Sequence, residues 1–142
     1  MNINLLPGIS STAAALNAER IRLEVVSQNI ANAHVSRGAD GKPYQRRVVV
    51  FESVLQDAQA GSGAQMPTLR VAGIKNDTRP PLSLCQPGHP DADASGMVAM
   101  PNINVHEEMA DMITATRAYE ANLAVAKNAR NMALQTLAIG KR

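Results

Sequence analysis

The sequence predicts a mainly α, elongated molecule with a small β region, and three observations carry that prediction. Residues 105–139 run for 35 positions without Gly or Pro, and residues 10–33 lack both as well. The stretch between them is cut by Pro and Gly into short runs rich in β-branched side chains, which suit strands and turns better than helices. The two helices are expected to pack as a coiled-coil-like pair, so that residues 1–35 and 105–142 form one terminal helical domain. Residues 36–104 are then a loop and β-rich middle segment.

In the first helix the large apolar residues Ile9, Leu16, Leu23 and Ile30 recur every seven positions, which draws one stripe. Ser10, Ser11 and Thr12 offer N-cap oxygens, and Glu19 and Arg22 are spaced for an exposed ion pair. Residues 36–43, Ser-Arg-Gly-Ala-Asp-Gly-Lys-Pro, cannot continue a helix and predict a loop. Residues 44–55 predict a strand, residues 56–67 a flexible loop, and residues 69–74 a second strand able to pair with the first. Pro80 and Pro81 punctuate the chain, and residues 96–100 form a further short apolar segment that ends at Pro101.

The long helix carries start and stop signals. Asn104 can cap it, Glu107 can close a capping box, and Glu108 and Asp111 suit its positive end. Gly140 stands at the expected stop, with Lys141 and Arg142 beside it. Met109, Met112, Thr116, Tyr119, Leu123, Ala126, Arg130, Ala133 and Leu137 alternate steps of three and four, which predicts a seam. Thirty-five helical residues span about 50 Å, whereas a compact globule of this length would be about 37 Å across. The helix therefore overshoots any globule the chain could form. Ala110, Ala115, Ala118, Ala121, Ala124 and Ala129 lie outside that seam, and between residues 117 and 137 only Arg117, Glu120, Lys127 and Arg130 are charged. Small residues on several faces suit packing against more than one neighbouring helix.

Composition excludes several functions. With 14 Lys and Arg against 12 Asp and Glu, and three aromatics in all, the chain has neither the charge surplus nor the stacking platforms for nucleic acid. No run reaches the roughly 20 apolar residues of a membrane span, so no membrane insertion is expected. Residues 4–16 make a poor signal peptide, being broken by Pro7 and Gly8 and followed by Glu19, Arg20 and Arg22. The single Cys85 forbids an internal disulfide and a Cys-rich zinc site. Neither a Gly-x-Ser-x-Gly elbow, a phosphate-binding loop nor a catalytic Cys-His constellation is visible, so the chain is expected not to be an enzyme and to need no cofactor.

One competing site comes from another class. Asp91, Asp93, Ser95 and Gly96 reproduce positions 1, 3, 5 and 6 of a calcium-binding loop, which makes a calcium-binding module the alternative. Asn102 occupies the position of the bidentate Glu, and Pro90 and Pro101 oppose flanking helices, so an ordinary turn is the expected reading and no metal site is assigned. His89 stands beside these carboxylates and reads as a surface residue. Asn29 and Asn32 are expected either to cap the first helix or to bond to a neighbouring chain. Tyr119 is expected to pack, and Arg117 and Glu120 to pair across an interface. Arg37, Lys42, Arg46 and Arg47 form the densest basic cluster.

Two segments taken together carry a resemblance. Ser27-Gln28-Asn29-Ile30-Ala31-Asn32-Ala33 and Ala115-Thr116-Arg117-Ala118-Tyr119-Glu120-Ala121-Asn122 resemble the two terminal signatures of the flagellar rod and hook axial proteins. Asp40-Gly41-Lys42-Pro43-Tyr44-Gln45-Arg46-Arg47, Pro87-Gly88-His89-Pro90-Asp91-Ala92-Asp93 and Met100-Pro101-Asn102-Ile103-Asn104-Val105 resemble the short, proximal-rod members of that family. His34 and Val35 depart from the family pattern, which has Asn and Thr there. The resemblance implies a structural subunit of the basal-body rod, a hollow drive shaft whose inner layer is made by the terminal helices. It implies partners among other rod and basal-body proteins, copies of the same chain and the flagellar type III export apparatus. It also implies passage of an unfolded chain, without a cleaved signal, to the periplasmic side. On that reading the packing and assembly residues are Ile9, Leu16, Leu23, Asn29, Ile30, Asn32, Met109, Met112, Thr116, Arg117, Tyr119, Glu120, Asn122, Leu123, Ala126 and Leu137.

Overall fold

The structure, a computed structural model, describes residues 7–55 and 67–140. In chain order it contains α1 (Pro7–Ala31), β1 (Arg47–Leu55), β2 (Pro67–Asn76), β3 (Leu82–Cys85), β4 (Met97–Met100) and α2 (Val105–Ile139). The expected mainly α class with a small β region is what the chain adopts. The loop predicted at residues 56–67 falls, but for Pro67, outside the described residues, as do Lys141 and Arg142.

α1 is already helical at Pro7, the first described residue, so the cap expected at Ser10, Ser11 or Thr12 lies inside the helix. Its other end is closed by Asn32, whose backbone N–H and side-chain amide both donate to the Gln28 carbonyl, at 3.0 and 2.7 Å. Asn104 caps α2 as its sequence predicts, but Glu107 meets the Asn104 side chain and not its backbone N–H, so the expected capping box is replaced by a side-chain pair. Asn104 accepts from the His106 N–H at 3.1 Å, and its amide donates to Glu107 at 3.1 Å. The helix stops at Gly140, whose N–H bonds Thr136, in a right-handed conformation rather than the left-handed turn common after helices.

β1 and β2 pair antiparallel from Arg47↔Asn76 to Leu55↔Pro67, with a register shift between Val50 and Phe51. Val50 faces Gly73 while Phe51 faces Val71, so β2 carries one extra residue, a bulge that bends and twists the hairpin. β3 pairs antiparallel with β4 in a second two-stranded sheet. β3 escapes sequence reading because four residues hemmed by Pro80 and Pro81 give almost no periodicity, and all four are exposed. The turn before β4 depends on Gly96, which takes φ +75° and lies so close to Pro87 that a Cβ would come within 3.1 Å of its ring.

α1 lies between α2 and the β1–β2 hairpin and packs on both. Asn29 meets Glu108 while Arg22 meets Asp111, so moving toward the start of α1 advances along α2 and the helices are antiparallel. At about 1.5 Å per residue α2 is about 15 Å longer than α1, and its last turns run past the described start of α1. The seam between them is shifted from the predicted one. Ala18, Val25, Val26 and Asn29 are the buried positions of α1, whereas Ile9, Leu16, Leu23 and Ile30 are half-buried. On α2 the inward row is Glu108, Met112, Ala115, Tyr119, Asn122, Ala126, Ala129 and Ala133. Met109, Thr116, Leu123, Arg130 and Leu137, predicted for the seam, are exposed. The shift follows size. Alanines let the helix axes approach closely, and the large side chains of the predicted stripe are left on the flank.

Candidate assembly surface and its polar hub

The exposed side of α2 carries few charges for its length: from residue 109 onward only Arg117, Glu120, Lys127 and Arg130 are both charged and exposed among the described residues. Met109, Ile113, Leu123 and Leu134 are exposed on one flank. Val125, Met132 and Ile139, spaced by seven, are exposed on the other at 54, 61 and 77%. Exposure is heaviest toward the C-terminal end, where α1 no longer runs alongside. Arg117 and Glu120 are exposed on the same helix, Met112, Tyr119, Asn122 and Ala126 are half-buried against α1, and Asn32 is half-buried at the end of α1.

Where the long helix starts, a polar hub fixes the helices to the hairpin. Asn29 is fully buried, and its side-chain amide makes four hydrogen bonds. Nδ2 donates to the Arg47 carbonyl and to Glu108 Oε2, both at 2.9 Å. Oδ1 accepts from the Arg47 N–H at 2.9 Å and from the Tyr44 hydroxyl at 3.1 Å. Paired with both backbone groups of Arg47, the Asn29 amide does what an adjacent strand would do, and it ties the first residue of β1 to α1. Asn29 is therefore neither a helix cap nor exposed to a neighbouring chain.

Glu108 is equally buried, and its Oε1 accepts from Arg46 Nε at 2.6 Å. Arg46 also reaches Asp77 at 3.5 Å, and Asp77 is held by the Arg79 guanidinium at 2.8 Å and by the Arg79 N–H at 3.0 Å. Those two bonds from Arg79 hold the Asp77 carboxyl down at about 2, and the side-chain bond together with the Asp77 charge raises Arg79 in turn. Burial pushes the Tyr44 phenol up, Arg47 pulls against this, and Glu108 adds to it. The sequence marks Glu108 only as a favourable helix start and Arg46 only as part of a basic cluster. Nothing in one sequence pairs two opposite charges 62 residues apart.

The loop offered for calcium is occupied by its own hydrogen bonds. Asp91 accepts from Ser36 at 2.7 Å and lies 3.5 Å from Arg37, contacts that hold its carboxyl below the usual range. Asp93 accepts from the N–H groups of Ser95 and Met97 at 2.8 and 2.9 Å. Among the described residues no group of His, Cys, Asp and Glu side chains is placed to hold a metal ion, and the calcium alternative gains no support. No described helix is long and apolar enough to cross a membrane.

Comparison with known proteins follows the same division of the chain. Residues 10–37 match the model of the flagella basal body rod protein family, and residues 94–139 match the C-terminal model of the flagellar basal body rod FlgEFG proteins. The flagellar basal-body rod protein FlgC of Yersinia enterocolitica is 40% identical over 98% of this chain and all of its own length. The chain belongs to the FlgC family of flagellar basal-body rod proteins. The FlgC of Borreliella burgdorferi is 37% identical over 96% of this chain and 98% of its own, and that of Bacillus subtilis 34% over 94% and 96%. Both matched family models fall largely on the helices, while FlgC relatives align across the middle segment as well. This chain is thus a structural rod subunit of the flagellar basal body.

Proposed function

We propose that the chain polymerises through its terminal helices, residues 1–35 and 105–142, into the hollow proximal rod that transmits torque, with residues 36–104 lying outside that inner layer. Its neighbours are other rod and basal-body proteins and copies of itself, and its role is mechanical rather than enzymatic. The observation that carries this reading is the exposed apolar flanks of α2 in a chain of the FlgC family. Each large apolar side chain removed from water contributes about 1.5–3 kcal/mol, so several parallel helix contacts hold a shaft against shear with no single bond bearing the load. We further propose export by the flagellar type III apparatus to the periplasmic side. A core of alanine and valine and a single cysteine fit a chain that must travel unfolded.

The test is a deletion strain complemented in trans. The parent sequence is expected to restore rods, filaments and swimming, while Val125→Asp with Met132→Asp restores none, although the purified variant keeps the parent's helical circular dichroism. Normal swimming with the doubly substituted chain would remove the α2 flank from the assembly surface.

A further inference from the structure

We infer that Asn29, Arg46 and Glu108 form an orientation latch, which fixes the angle between the hairpin and the helical pair and contributes to uniqueness of structure more than to stability. Three observations support it. The bonds described above between the start of β1 and the helices converge on one end of the hairpin, through Asn29 and Glu108. Apolar packing between α1 and the hairpin is loose at both ends: a hollow of about 330 Å³ lies at the far end, lined among others by Ala14, Ala18, Val54, Leu69 and Val71, and one of about 280 Å³ lies beside the latch, lined among others by Val25, Val26, Val49 and Phe51, so the bonds and not the packing set the angle. Apolar contact of that kind is non-directional and tolerates a range of angles.

The third observation is the nature of the bonds. Glu108 is 1% exposed and the Arg46 side chain 18%. The cost of taking both charges out of water offsets most of their attraction, so a buried pair of this kind adds little net stability while it admits few geometries. Arg46 bonds Glu108 through Nε and reaches Asp77 through a terminal nitrogen, so the direction of the guanidinium is set from two sides. Swinging the hairpin about α1 would break the Arg46–Glu108 bond and the two backbone bonds of Asn29 together, and this makes the latch all-or-none. The parts come from three places in the chain, with Asn29 before the hairpin, Arg46 at its entry and Glu108 beyond it. The latch therefore closes only once residue 108 is present.

Double electron–electron resonance on the full-length monomer tests this, with spin labels at Ser53→Cys on the hairpin and Ala124→Cys on α2, in a Cys85→Ser background. The parent is expected to give one narrow distance distribution. Arg46→Met with Glu108→Gln, which removes both charges and keeps an acceptor for Asn29, is expected to broaden or split it while the thermal midpoint stays near the parent's. Arg46→Lys, which keeps the charge and loses the two-sided geometry, is expected to broaden it less. A parent-like distribution in the neutral pair would overturn the inference, and so would a large fall in its midpoint, since the pair would then act chiefly on stability. The readout needs no rod, so its outcome is independent of the assembly proposal.

Discussion

A single amide illustrates how much one residue can hold in this fold. Replacing Asn29 with Ala leaves the Arg47 N–H, the Arg47 carbonyl, the Tyr44 hydroxyl and one oxygen of Glu108 short of a partner at a site that is largely but not wholly buried. Each such group costs about 1–3 kcal/mol, and relaxation recovers part of it, so Asn29→Ala is expected to lower stability by about 2–4 kcal/mol. Asn32→Ala removes one bond at a half-exposed helix end and is expected to cost about 0.5–1 kcal/mol. Urea unfolding followed by circular dichroism ranks the two, and equal effects would contradict the burial of Asn29. Asp77 gives a pH signature. Its folded value of about 2 lies below the ordinary aspartate value of 3.8, so its contribution is complete above 3.8 and is lost as pH falls through about 2. A carboxyl-carbon NMR titration should find that midpoint, and Arg79→Gln should move it back up; an unmoved midpoint would deny Arg79 its part. The sequence singled out Asn29 and Asn32 as a pair, yet only the fold separates a buried clamp from a cap, because the difference lies in what arrives opposite from 18 and 79 residues away.

At the level of elements, legibility tracks length. α2 was readable over all its 35 residues, with cap and stop, because capping and Gly or Pro punctuation act locally. The face it buries was not. Apolar residues recur on several faces of α2, and which row turns inward depends on how closely α1 can approach, a property of both helices. The β1–β2 pair was foreseeable from its β-branched runs, while its bulge and β3 depend on pairing partners. α2 now divides into a portion covered by α1 and a portion beyond it. Amide exchange in the isolated chain should show strong protection around residues 112–126 and weak protection over residues 131–139, since helix without tertiary cover frays. Uniform protection to residue 139 in a proven monomer would mean that something other than α1 covers the distal turns.

The whole molecule is three layers thick, hairpin on α1 on α2, with a core made largely of Ala18, Val25, Val26, Ala33 and Ala115. Alanines bury little area, so the helices gain closeness rather than large hydrophobic energy from each other. The larger apolar groups, Met109, Ile113, Val125, Met132, Leu134, Leu137 and Ile139, are exposed instead. That distribution inverts the usual order of a self-sufficient globule and matches a subunit whose stability is completed by neighbours. Proteolysis measures the completion directly, because cleavage tracks the population of the open chain. Lys127 and Arg130 are exposed where α2 leaves α1, so trypsin is expected to cut there early in the isolated chain. In purified basal bodies the same two sites should survive far longer, shielded by helices packed on the Leu123 and Leu134 flank, on which both residues lie at helical spacing. Equal cleavage rates in the two states would show that this flank faces solvent in the rod, and the assembly contacts would then have to lie elsewhere on the molecule.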